Sequence, residues 1–309
     1  MSNWRDLFRF SSWRTLREQG VLGMNARNAD YILPLNLRSR YPLVDDKRMT
    51  KAIAERHGIP VPSTIAILER VGDIRLLSKI VQTTPEFVVK PARGSGGRGI
   101  AVVVEHDNVN FLSPGGVRRS YEEMHYHISS ILSGLYSLGG HPDAVIIEER
   151  LKCHSIFDRI AIGGTPDLRI IVHLGRAVMA MLRLPTRASR GRANLHQGAI
   201  GVGIDMASGI TQGGVCHNQI MDTHPDTGAN VSGVQLPMWK EALSAAERLA
   251  AALELGYVGI DIVFDDTRGP VVLEANARPG LAIQIANCKG LLGVLRENER
   301  EVKHQVRPT

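Results

Sequence analysis

The apolar positions of the chain repeat with two different periods, and the alternation between them outlines the elements. Between Pro237 and Gly256, Trp239, Leu243, Ala246, Leu249, Ala250 and Leu253 recur every three or four residues, the pattern of an amphipathic helix. Asp45 or Asp46 is placed to cap a second helix that runs to about His57, with Gly58 and Pro60 as stop signals. Lys47 and Lys51, four residues apart, share one face of that helix. Further helices are expected near 73–82 and 120–134, and a helical or frayed tail after about 295. Runs rich in β-branched residues predict strands: VPSTIAIL, FVVK (87–90), IAVVVE (100–105), AVIIEERL (144–151), LRIIVHLG, AVMAMLRL and AIGVGIDMASG. YVGIDIVF and VVLEANARPG flank the turn DDTRGP and read as a hairpin. In residues 1–22, Trp4, Leu7, Phe8, Phe10, Trp13, Leu16 and Val21 interleave with Arg5, Arg9, Arg14 and Arg17. That segment reads as a helix with an arginine face that docks on its own domain, on a partner or on a membrane surface.

Composition narrows the class. With 309 residues, 43% hydrophobic and 22% charged, the chain is long enough for a sizeable core and is neither disordered nor fibrous. No run of about 18 apolar residues predicts a membrane span, and MSNWRDLFRFSSWR is too charged for a secretory core. Cys153, Cys216 and Cys288 are scattered without a CxxC, which argues against a disulfide framework or zinc site and points to the cytoplasm. The net charge of +6 has two addresses. Residues 1–40 hold seven arginines against three acids, and Arg183, Arg187, Arg190 and Arg192 stand in one stretch without an acid. That stretch is either a solvated basic loop or a collector of carboxylates or phosphates, which Arg169 would join. No recognition motif accompanies the basic patches, so no nucleic-acid partner is expected.

Gly94, Gly96 and Gly99 fit G-x-G-x-x-G, but the residues that follow read as a strand instead of the helix a dinucleotide fold requires. No Gly-Lys-Ser/Thr follows either, which excludes a Walker A loop. What remains is a glycine-rich hairpin loop, either plain or able to fold its backbone N–H groups over phosphates beside Lys90. In the C-terminal hairpin, Asp261 and Glu274 lie symmetrically about the turn and should face each other. Asn276, two residues on, shares the face of Glu274. Two carboxylates and an amide at one spot suit a hard cation such as Mg2+.

Lysine segments, a glycine hairpin and an Asp…Glu-x-Asn hairpin in this order resemble the ATP-grasp superfamily, and within it the RimK-related alpha-L-glutamate ligase-like proteins. The likeness runs from about Pro42 to Gly280. It implies an α+β fold in which two subdomains clamp ATP between antiparallel sheets, with residues 1–44 as a reduced N-terminal arm. The remaining parts would be a helix and strand segment (45–84), a lid (85–151), a Mg2+-binding subdomain (152–295) and a tail (296–309). It assigns Lys47, Lys90 and the loop Gly94, Ser95, Gly96 and Gly97 to the phosphates. Glu148, Glu149, Arg150 and Leu151 would hold the adenine. Asp167 would touch ribose or phosphates, with Asp158 as a rival for the ribose. Arg192 and Asn194 of RANLHQGA would lie near the phosphates, with His196 near the substrate beside Arg169 and Arg183. Asp261, Glu274 and Asn276 match the Mg2+ ligands, with Mn2+ as a substitute ion, and Arg278 would face the reacting phosphoryl group beside Lys90 and Arg192. The implied activity is ATP-dependent carboxylate–amine ligation through an acylphosphate, adding glutamate or another amino acid to a peptide or protein. Phosphoryl transfer to a small molecule, a nucleotide-binding regulator and a homo-oligomer stay open. The cysteines are read as inert.

Overall fold

The computed structural model describes residues 13–94, 96–107, 109–217 and 219–306. The first 12 residues, with Trp4, Leu7, Phe8 and Phe10 of the expected arginine-faced helix, lie outside the described residues, as does Ser95. The described arm starts with α1 (Trp13–Glu18) and continues through a π-helical turn, Arg27–Ile32. It is tied to the rest of the chain by polar groups that reach backbone. Arg27 donates to the Pro279 carbonyl at 2.7 Å, and Asn36 both donates to the Tyr257 carbonyl and accepts from the Tyr257 N–H. Each such bond contributes on the order of 1 kcal/mol, and more where burial would leave a group unpaired. The described part of the arm therefore docks on its own chain. α2 (Lys47–Arg56) follows, capped as expected by Asp46, whose carboxylate accepts from the Arg48 N–H at 3.0 Å.

β1 (Thr64–Leu68), α3 (Leu77–Thr83), β2 (Phe87–Pro91) and β3 (Ala101–Val103) come next. The strand expected over 100–105 breaks after Val103. Its remainder, β4 (Glu105–His106), turns into a three-stranded sheet with β5 (Asn110–Leu112) and β6 (Arg118–Ser120), two strands the sequence reading did not place. α4 (Tyr121–Leu132) opens on a capping box, Ser120 with Glu123. β7 (Val145–Glu149) then enters between β1 and β2, giving the antiparallel order β1-β7-β2-β3. Leu68, Leu77, Phe87, Val89, Ile128, Ile131 and Ile147 form one core under this sheet. Each such side chain, fully buried, contributes about 1.5–3 kcal/mol. β1 and α3 belong to the same core as β2 and β7, so the expected boundary between 84 and 85 does not separate two units.

The larger unit is an antiparallel seven-stranded sheet. Its strands are β8 (Asp167–His173), β9 (Arg176–Leu184), β10 (Ile200–Ile204), β11 (Thr211–Cys216), β12 (Gln219–Met221), β13 (Tyr257–Asp265) and β14 (Gly269–Asn276). The order is β12-β11-β10-β9-β8-β13-β14. Side-chain alternation gives this sheet two unlike faces. Leu168, Ile170, Leu182, Ile260 and Ile262 pack with Ala246, Leu249 and Leu253 of α5 (Trp239–Leu253). The opposite face is apolar at one end, where Ile171, Met179, Met181 and Tyr257 meet Leu22, Tyr31 and Ile32 of the arm. Ile283 of α6 (Ala282–Ala286) and Leu291 and Leu295 of α7 (Leu291–Val306) complete that cover. The expected boundary at 295/296 thus falls inside α7, and the tail is a docked helix. Asn298 anchors it, donating to the His173 carbonyl at 2.8 Å. At its other end the same sheet face carries charge.

Candidate functional site

The charged end is built from cross-strand neighbours. On β8, β9 and β13, Asp167 lies opposite Arg183, and Arg169 opposite Asp261. Arg169 grips Asp261 through two bonds of 2.7 and 2.6 Å, the bidentate geometry that favours arginine. Arg183 pairs with Asp167 through both its Nε and Nη2, the latter at 2.7 Å, and reaches Asp261 at 3.0 Å. Burial disfavours the Asp261 carboxylate, but Arg169 and Arg183 outweigh that and hold it well below the usual carboxylate range. For Asp167, burial wins over Arg183 and pushes the carboxyl up to about 6. Arg169 and Arg183 are therefore consumed by their neighbours in the sheet. Both guanidiniums, expected at the substrate, are here paired with carboxylates of the same sheet.

The hairpin β13–β14 holds the oxygen donors. Asp261 faces Glu274 in register. Asn276 lies within 3.4 Å of Asp261 and 3.3 Å of Glu274 through its amide nitrogen. Ile262 pairs with Val272, so one extra residue, Leu273, bulges out between the two pairs. Without that bulge Asp261 would face Leu273. Among the described residues no three His, Cys, Asp or Glu side chains are grouped to hold a metal ion, and the third donor here is an amide. Two carboxylates and an amide meet at this spot; Asn276 would offer its oxygen to a hard cation such as Mg2+ once the amide is turned over, and Asp261 would share its oxygens between that cation and the arginines.

The other sheet contributes a group of opposite sign. Glu148 on β7 accepts from Lys90 of β2 at 2.5 Å and from Lys51 of α2 at 3.0 Å. All three are 5% exposed or less. Two ammoniums against one carboxylate leave a positive charge, which a phosphate would complete. Lys47, one helical turn before Lys51, crosses between the two units: its Nζ donates to the Gly94 carbonyl at 2.5 Å and lies 3.4 Å from Glu274. The glycine loop leans toward the larger unit. A Cβ on Gly96, whose φ is +64°, would sit 3.9 Å from the Asn194 amide nitrogen. Lys47 thus brings the glycine loop and the acid–amide hairpin together where the two sheets meet.

The remaining expected residues are placed as follows. Glu148, expected at the adenine, is engaged by two lysines. Glu149 accepts from the Ser63 N–H and pairs with Arg268 at 2.7 Å, and Arg150 pairs with Glu86 at 2.6 Å. The Leu151 side chain is in a small core with Val263 and Val271. Asp167 lies beside Asp261 through Arg183. Asn194 caps its own turn by accepting from the His196 N–H, His196 is exposed, and Arg192 donates to Gln197 at 3.0 Å. The Arg278 guanidinium lies over the Tyr41 ring, 5.0 Å from its centroid. Gly97 takes a φ of +72°. Burial pushes the Cys153 thiol up to about 12, which leaves it unreactive. Lys51 is the residue that sequence reasoning left without a role, although its helical spacing from Lys47 already put both on one face.

The chain is similar to the cyanophycin synthetase of Crocosphaera subtropica, 25% identical over 278 residues that cover 81% of this chain and 29% of that protein. It is 27% identical to a probable alpha-L-glutamate ligase of Parasynechococcus marenigrum over 259 residues, 83% of this chain and 41% of that protein. The chain therefore spans less than half the length of these two relatives. Among solved structures, a RimK domain ATP-grasp protein from Sphaerobacter thermophilus superposes with a TM-score of 0.48 at 15% identity, covering 85% of this chain and 70% of that one. The model of one family, described as sugar-transfer associated ATP-grasp, matches residues 26–300, and the chain belongs to that family, with the α+β ATP-grasp fold its motifs imply.

Proposed function

We propose that this chain is an ATP-dependent carboxylate–amine ligase acting in the cytoplasm. One observation carries the reading: a buried positive group, Lys90 with Lys51 and Glu148, and an acid–amide hairpin, Asp261 with Glu274 and Asn276, border one crevice that Lys47 spans. Lys90 and Lys47 would hold the phosphates, with Arg192, Asn194 and the loop Gly94–Gly97 closing over them. The backbone of Glu149, Arg150 and Leu151 would border the base. Mg2+, or Mn2+ in its place, held by Asp261, Glu274 and Asn276 would neutralise phosphate charge as the γ-phosphoryl group leaves. That group would pass to a substrate carboxylate oxygen and release ADP. An amine would then attack the acyl carbon, phosphate would leave, and the amine proton would go to solvent. Arg278 and Lys90 would stabilise the developing charge, and the glycine loop would exclude water. The names of the relatives, cyanophycin synthetase and alpha-L-glutamate ligase, favour an amino acid such as glutamate as one substrate and a peptide or protein as acceptor.

The test is incubation with ATP, Mg2+, glutamate and candidate peptides, followed by mass spectrometry. ADP, phosphate and a product heavier by one glutamate residue are expected. A phosphorylated product would replace ligation by phosphoryl transfer. ATP binding without turnover on any acceptor would make the chain a regulator.

A further inference from the structure

The buried group around Glu148 holds more charge than it balances. Val88 of β2 lies opposite Glu148 of β7, and Lys90, two residues on, shares the face of Val88, so both side chains project to the same side of the sheet. Lys90 alone would form a neutral pair with Glu148. Lys51 arrives from α2, a different element, and shares the same carboxylate at 3.0 Å. Its ammonium is 5% exposed, and burial pushes it below its ordinary value, with Glu148 opposing. Burying a third charge in a satisfied pair is costly. The cost has a use only if the extra positive charge meets an anion. Lys47, on the same helix face, instead reaches Gly94 and Glu274, so Lys51 is not a duplicate of it.

We propose that Lys51 is a positioning residue that neutralises Glu148 through its second carboxylate oxygen, so that the Lys90 ammonium, bonded to the first, keeps an uncompensated charge for the phosphates of the nucleotide. This rests on the reading of the crevice as an ATP site. Without Lys51, Glu148 and Lys90 are left as a neutral pair, and the group's attraction for a phosphate is lost.

The experiment is calorimetric titration of ATP with Mg2+, and of ADP, into the full chain and its variants, with thermal unfolding alongside. Lys51→Met should weaken ATP binding about tenfold or more, the scale of a buried charge contact. Removing the competing carboxylate as well, in K51M/E148Q, restores the single positive charge and should return the affinity to within about threefold of wild type. A structural role for Lys51 predicts the reverse, a double variant no better than the single one, and that result would overturn the inference. So would K51M binding ATP as tightly as wild type. Should K51M not fold, Glu148→Gln alone decides: it frees Lys90 and should bind ATP at least as tightly as wild type, and a tenfold loss would overturn the proposal. A wild-type chain that binds no ATP would fail the nucleotide reading itself, which separates that failure from the failure of the Lys51 role.

Discussion

Two buried ionic groups face each other across the crevice, and they are built on opposite charge plans. On the smaller sheet, Lys51 and Lys90 share the single carboxylate of Glu148. On the larger sheet, Asp167, Asp261 and Glu274 lie beside Arg169 and Arg183, so the sheet's own residues are one cation short until Lys47 of α2 pairs with Glu274. Lys47 spans the gap from the Gly94 carbonyl to Glu274. The positive group suits the phosphate oxygens and the negative group a divalent cation, so a metal–nucleotide complex would complement both. The groups also differ in origin. The negative one is formed by strands of a single sheet and is fixed by register. The positive one joins a helix to a sheet and depends on how α2 docks.

The sharpest way to break this comparison is to remove the centre of the negative group. Asp261→Ala leaves Arg169 without its bidentate partner and Arg183 with Asp167 alone. An uncompensated buried charge of this kind costs about 3–5 kcal/mol. Denaturant unfolding should show that loss, and a midpoint equal to wild type would mean that the arginines find other partners. Glu274→Gln separates structure from function in the same group. The Glu274 side chain is 27% exposed, lies 3.4 Å from Lys47 and accepts from the Asn276 amide at 3.3 Å. Its loss should cost less than about 1 kcal/mol of stability. Turnover should fall about 10²–10³-fold if Glu274 holds the metal, and unchanged turnover would remove it from that role.

The contrast also explains what the sequence disclosed. The β13–β14 hairpin was legible because its two strands are adjacent in sequence and alternate cleanly. Even there the facing of Asp261 and Glu274 depends on the bulge at Leu273, which no periodicity announces. Nothing in the sequence announced the pairing of Arg169 and Arg183 with Asp167 and Asp261. Their partners lie on laterally neighbouring strands, and β8 comes to sit between β9 and β13 only through the tertiary order of the sheet. The pairing of Glu148 was hidden for the same reason, since Lys51 reaches it from 97 positions away in sequence. The helices α2 and α5 were legible from caps and spacing. β4–β6 were not, because strands of two or three residues carry too little pattern.

A third buried titratable group sharpens the rule by lacking a counter-charge. His173 is fully buried among Tyr31, Tyr257 and Asn298, with the Glu299 carboxylate no nearer than 4.0 Å. Burial lowers its value from 6.5 to about 4. Unfolded, it takes a proton near 6.5, while the folded chain resists until about 4. The unfolded state thus binds more protons in that window, and stability falls as the pH drops through it. The loss should reach about 2 kcal/mol near pH 5. His173→Gln should flatten that part of the stability profile, and a slope unchanged by the substitution would show that other groups cause it.

The smallest effect is expected at the mouth between the two groups, and it tests whether the glycine loop acts in binding or in folding. Gly96 has a φ of +64°, where a side chain strains the backbone, yet a Cβ there would meet nothing nearer than the Asn194 amide nitrogen at 3.9 Å. Gly96→Ala therefore costs about 1 kcal/mol of local backbone strain without a clash. The loop carries none of the core, so the melting temperature should stay within error of wild type. If closing the loop over the phosphates requires this conformation, ATP affinity should fall about fivefold, since the strain is felt only when the loop is ordered. A drop in melting temperature with unchanged affinity would reverse that assignment and make the loop part of the scaffold. The charge plans on either side would then have to hold the nucleotide without a cover.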